Sequence, residues 1–189
     1  KASGLKRYLA AMPTLMRHAK DRGLSGLLIE PMSCSAEPPS YPDEIQDVMR
    51  ELEEIHRDNS QGTVPVYLCS DVTHGVADAG GRVLHDSLEL FALEVPYMAE
   101  FHFKNTDARF ADTFGFGPEE RAAGIIDLAE VRRLIANRSD AFPLERLSGY
   151  LEIPGPKRGR EYSDYLLEDQ LRTSIHAIQY AFSGLLETP

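Results

Sequence analysis

The sequence has no tryptophan and only two cysteines among its 189 residues. Cys34 and Cys69 do not form a C-x-x-C pair, so no disulfide framework is expected and a reducing cytoplasm is the expected compartment. No apolar run approaches the ~20 residues of a membrane span, and no signal-peptide pattern opens the chain. Membrane partners are therefore not expected. Basic side chains are outnumbered, 20 to 30, leaving a formal net charge of −10. Such a surface repels a phosphate backbone, which argues against nucleic acid as a partner. A Gly-rich phosphate fingerprint is also missing after the first apolar strand, which weakens a dinucleotide-binding reading.

What is present is a rhythm of four short apolar runs, each ending in a side chain able to bind metal. They are Leu27-Leu28-Ile29-Glu30, Val64 to Asp71, Met98 to His102, and Leu147 to Glu152. Between them lie segments with helical periodicity. The reading places helices over 4–22 (kinked or broken at Pro13), from Pro42 onward, 83–94, 128–137 and from Ser163 to about 186. The strands fall at 26–32, 64–70, 98–103 and 147–153. Pro42 suits a first helical turn, with Asp43 and Glu44 beside the positive helix end. Asp127 suits an N-cap. The stretch 104–124 reads as a long loop whose Phe110, Phe114 and Phe116, taken as exposed, would serve a lid or an oligomer contact.

Strands alternating with helices imply a parallel α/β sheet with helical crossovers. A functional residue after every strand favours a (β/α)8 TIM barrel, in which all strand ends converge on one mouth. A full barrel takes ~250 residues. The expectation is therefore that 1–189 form a single domain, the last four βα units of a barrel whose first half lies outside these residues.

Glu30, Asp71, His102 and Glu152 would close around one divalent cation if their strands lay side by side. Two glutamates, an aspartate and a neutral imidazole form a mixed oxygen and nitrogen set suited to Mn, Mg, Co or Zn. On an alternating strand Phe101 and Phe103 face one side, and Glu100, His102 and Lys104 the other. Three polar residues on one inward face suit a polar barrel mouth better than a core. Asn105 and Asp107 fit either a supporting role at the site or a turn. Lys157, Arg158 and Arg160 follow the last strand, where barrels often bind phosphate, although a solvated basic loop would look the same.

The segments Gly26 to Pro31, Ser70 to Gly75, Phe101 to Asn105 and Tyr150 to Glu152 resemble the xylose isomerase-like barrel superfamily. The likeness is greatest to its sugar and sugar-phosphate isomerase and epimerase branch, which includes the ketose 3-epimerases. The resemblance implies Glu30, Asp71, His102 and Glu152 as ligands of one divalent metal ion, manganese among the candidates. It implies Glu30 and Glu152 as the acid/base pair on a metal-bound enediolate, and His74 as a substrate contact. Lys104 and Arg158 are the further substrate contacts expected. The implied enzyme is a metal-dependent isomerase or epimerase of carbohydrate metabolism acting on a sugar or sugar phosphate, and a homo-oligomer is expected. The alternatives are a metal-dependent lyase, dehydratase or decarboxylase, on a sugar acid, and a non-catalytic half-barrel binding module.

Overall fold

The computed structural model describes residues 2–33, 36–110, 112–153 and 166–185. Its order is α1 (Ala2–Asp21), β1 (Leu27–Ile29), α2 (Pro42–Asp58), β2 (Val66–Asp71), β3 (Val76–Ala77), β4 (Val83–His85), α3 (Ser87–Glu94) and β5 (Met98–Phe103). There follow β6 (Asn105–Thr106), β7 (Thr113–Phe114), α4 (Pro118–Ala123), α5 (Leu128–Asn137), β8 (Ser148–Leu151) and α6 (Leu167–Ala181). Four strands form the main sheet in the order β1-β2-β5-β8, and every neighbouring pair is parallel. Each parallel step crosses over through a helix, as βα units require.

The two-residue period sorts the strand side chains onto opposite faces. Leu27 and Ile29 pack with Val66 and Leu68 against α1 and α2, where Met16, Ile45, Val48, Met49 and Leu52 are fully buried. Phe101 and Phe103 face α5 and α6, joining Phe91, Val131, Ile178 and Phe182. Burying side chains of this size contributes roughly 1.5–3 kcal/mol each. The opposite face carries the polar residues, and it is open: Leu28 and Tyr150 are 45% and 55% exposed. Gly149 allows β8 to approach β5, because a Cβ there would lie 2.6 Å from the Phe103 ring.

Local chemistry sets most helix starts. Pro42 occupies the first turn of α2, with Asp43 and Glu44 behind it. Asp127 accepts the Ala129 N–H and begins α5 where expected. Elsewhere the structure corrects the sequence reading. The expected helix 83–94 starts only at Ser87, because Asp86 caps it by accepting from the Leu88 and Glu89 N–H groups. Val83–His85 instead pairs antiparallel with Val76–Ala77. The expected loop 104–124 contains the β6–β7 ribbon and α4. Phe116 is buried at 1% exposure and belongs to the core, not to a contact surface, and Phe110 and Phe114 are half-buried. The helix α1 continues through Pro13. The last helix, expected from Ser163 to about 186, is described over Leu167–Ala181 and buries Ser174 and Ile178. Ser163, proposed as the cap of α6, lies outside the described residues.

Candidate metal centre

Glu30, Asp71, His102 and Glu152 sit at or just past the carboxyl ends of β1, β2, β5 and β8. Parallel register does the assembling: Ile29 pairs with Leu68, Asp71 with His102, and His102 with Tyr150. The four residues therefore emerge on one face at one edge. Each offers a ligand atom, and these atoms all lie within 4.8 Å of one another. His102 Nδ1 is 3.0 Å from Glu152 Oε2, 3.5 Å from Glu30 Oε1 and 3.8 Å from Asp71 Oδ2.

Asp71 is the most rigidly placed of the four and is 2% exposed. Its Oδ1 accepts the Thr73 N–H at 2.8 Å and the Thr73 hydroxyl at 2.7 Å. This Asx-type turn leaves Oδ2 aimed at the cluster. Oδ2 is buried and makes no hydrogen bond of good geometry to a described residue, although Lys104 Nζ lies 2.8 Å away as an ion pair. His102 Nδ1 is likewise buried without a well-formed hydrogen bond, despite the nearby carboxylates. Two buried polar atoms without a well-formed hydrogen bond, converging on one point among three carboxylates, mark a place for a cation. The donor set, three carboxylates and an imidazole, fits a divalent ion.

The electrostatics agree. Burial alone would raise Asp71, but His102, His74 and Lys104 outweigh it and hold the carboxyl well below its ordinary range. Glu152 is lowered to about 2, chiefly by His102 and then by Lys104, against its own partial burial. His102 is raised far above an ordinary imidazole by Asp71, Cys69, Glu152 and Glu30. At 3.8 Å Asp71 acts on it as a charge, not as a hydrogen-bond partner. Lys104 also rises despite burial, because Asp71 and Glu152 surround it. Without a divalent ion, protonated His102 and Lys104 offset two of the cluster's three carboxylate charges.

The other site residues fall at its rim. His74 Nδ1 lies 2.7 Å from the Pro31 carbonyl, which only accepts, so Nδ1 carries the proton. His74 Nε2 is then turned towards Asp71 Oδ2 at 3.5 Å. Lys104 Nζ touches Glu152 Oε2 at 3.0 Å as well as Asp71, so it belongs to the cluster itself. Arg158, with Lys157 and Arg160, lies outside the described residues. Asn105 is a structural residue: it is buried, donates to the Glu120 carbonyl, and accepts from the Thr106 and Ile126 N–H groups. Asp107 accepts the Arg109 N–H in a turn.

Sequence reasoning passed over several residues. Thr73, two positions after Asp71, had a readable signal in the Asp-x-Thr turn pattern. Cys69 lies 3.4 Å from Glu100 Oε1 and 3.3 Å from His102 Nε2, and alternation alone would have placed it under Asp71. Glu94 carried no signal. It is 3% exposed at the end of α3, and its carboxyl is pushed up to about 8. Burial is the main cause; Ser70 opposes it, and the charges of Asp71 and Glu30 reinforce it. A cavity of 620 Å³ lined by Phe103, Phe142, Leu151, Ile178 and Phe182 lies on the helix side of the sheet, away from the carboxylates.

No family model matches the chain, and no curated protein does. Among solved structures it is similar to a Rhodospirillum rubrum ATCC 11170 protein described as a "Putative Xylose isomerase", with a TM-score of 0.58 at 20% identity. The match covers 86% of this chain and 49% of the other, so this chain spans about half that protein's length. At this identity the likeness establishes the fold alone: half of an α/β TIM barrel, of which the described residues supply four parallel βα units.

Proposed function

We propose that the chain carries the metal and acid–base centre of an isomerase or epimerase acting on a sugar or sugar phosphate. The observation that carries this reading is the convergence of Glu30, Asp71, His102 and Glu152, with buried Asp71 Oδ2 and His102 Nδ1 facing the space between them. A barrel of the xylose isomerase type is a fold on which such chemistry occurs, which supports the reading without deciding it. The four side chains would hold one divalent ion, with Asp71 fixed by Thr73. Such an ion supplies Lewis acidity to a substrate carbonyl and its neighbouring hydroxyl.

The remaining steps belong to this chain's own groups. Glu152 stays ionised at neutral pH and can take a proton from the carbon beside the carbonyl. Glu30, on the far side of the cluster at β1, can take a proton from solvent and pass it to the opposite face or to the adjacent carbon. The first outcome is epimerisation and the second is aldose–ketose exchange. Lys104 can donate to a substrate oxygen as negative charge develops on it. His74, held through Nδ1 by the Pro31 carbonyl, turns Nε2 towards the cluster, where it can contact a substrate hydroxyl. A 380 Å³ cleft lined by Gly75, the residue after this histidine, with Asp78, Arg109 and Phe110 can receive the rest of a polar substrate. In a closed barrel, strands beyond β1 and β8 would complete the substrate wall.

The test is incubation with a panel of ketoses and ketose phosphates in deuterated water with added Mn. Deuterium should appear at a carbon next to the carbonyl. Glu30→Gln and Glu152→Gln should each abolish the exchange while leaving the circular dichroism unchanged. Exchange that survives in both variants would remove these glutamates from the proposed roles.

A further inference from the structure

His102 presents its two ring nitrogens to different surroundings. Nδ1 faces Glu30, Asp71 and Glu152, whereas Nε2 lies 3.3 Å from Cys69 Sγ. Cys69 Sγ in turn donates to Glu100 Oε1 at 3.4 Å. Cys69 and Glu100 are register partners, as are Asp71 and His102, so the first pair lies one pleat behind the second on the same face. We infer that Cys69 and Glu100 form a hydrogen-bond relay that holds the His102 ring with Nε2–H behind it and the Nδ1 lone pair available to a divalent ion. This rests on the metal reading above.

The argument is one of donors and acceptors. An imidazole that offers Nδ1 as a ligand carries its proton on Nε2, and that proton calls for an acceptor behind the ring. Cys69 Sγ is within reach and can accept. A carboxylate can only accept, so the thiol hydrogen points to Glu100, and the chain runs Nε2–H to Sγ–H to Oε1. The direction is self-consistent: each group donates once along it. The same Nε2–H stays in place when Nδ1 is protonated, so the ring is pre-set before an ion arrives. Metal-bound histidines commonly need such a partner behind them to fix tautomer and orientation. Cys69, Glu100 and His102 also lie close enough to suggest a second cation site. That reading requires Cys69 and Nε2 both to lose their protons in a partly buried place, and it is a separate outcome of the test.

The experiment is a titration of the full chain with Mn and with Zn, in wild type, Cys69→Ala, Cys69→Ser and Glu100→Gln. Cys69→Ala should weaken binding by about 10–100-fold, the usual cost of losing a supporting hydrogen bond behind a ligand. Cys69→Ser should stay within a few-fold of wild type, because a hydroxyl both donates and accepts, and it also controls for folding. Glu100→Gln should fall between them. In the Zn-loaded protein, nitrogen-15 spectra should show a slowly exchanging His102 Nε2–H in wild type and Cys69→Ser, with fast exchange in Cys69→Ala. Unchanged affinity and a persistent Nε2–H in Cys69→Ala would overturn the relay alone. Two ions bound by wild type and one by Cys69→Ala would overturn it in favour of a second cation site. Wild type that binds neither ion would overturn both the relay and the metal reading.

Discussion

Replacing Glu94 with Gln should make the protein more stable at neutral and alkaline pH and change little in mild acid. Glu94 is 3% exposed, and its carboxyl is raised from 4.5 to about 8, with burial the main cause. A raised carboxyl means that the native state holds a proton the unfolded chain releases. Stability contributed by the neutral acid is complete below pH 4.5 and declines as pH rises through about 8. Within that window the loss is ~1.4 kcal/mol per pH unit, or ~3 kcal/mol by pH 7. Glutamine copies the shape of the neutral acid and cannot ionise, so the variant escapes this decline. Urea unfolding of both proteins at pH 5, 6, 7 and 8 isolates the effect, since every other titrating group is shared. The stability difference should grow with pH by roughly the stated slope. Parallel curves from pH 5 to 8 would refute the reasoning and show that Glu94 is ionised in the native protein. Asp71 and Glu30 contribute to the upward push, so saturating Mn should make the wild-type decline shallower.

Three further outcomes follow from the same geometry. Thr73→Val removes the hydroxyl that holds Asp71 Oδ1, which should lower stability by ~1.5–3 kcal/mol in urea unfolding and weaken Mn binding in a calorimetric titration. Lys104→Met leaves the buried Asp71 charge without its closest cation; the metal-free variant should lose ~3 kcal/mol or more, and added Mn should restore more stability to it than to wild type. Equal unfolding of metal-free wild type and Lys104→Met would refute that pairing. Gly149→Ala puts a methyl group into the Phe103 and Phe101 rings and should cost ~1–3 kcal/mol, read from the thermal midpoint.

Several elements were legible because their determinants are local. Proline at the first turn of α2 and aspartate before α5 mark helix starts through backbone chemistry confined to a few residues. The β5 strand was readable to the residue, Met98–Phe103, because alternation separates its phenylalanines from its polar side chains. The misread stretches depend on partners distant in sequence or on competing short-range signals. Val83 and Leu84 satisfy a helical period as well as a strand, and pairing with Val76–Ala77 together with the Asp86 cap decided against helix. Phe116 looks like a surface aromatic in a polar stretch, yet its N–H is held by Ser174 Oγ from α6 and its ring is buried.

The sequence by itself determined which four metal-capable residues lie at or near the strand ends and, on β5, which face His102 takes, because side-chain direction in a strand follows from the two-residue period alone. Tertiary structure decided that those ends meet. Glu30 and Glu152 are brought to one cluster only by the strand order β1-β2-β5-β8 and its register, which no local pattern specifies. It also decided their charge states, since the depression of Asp71, the elevation of His102 and the neutral Glu94 arise from burial and from charges contributed by other strands.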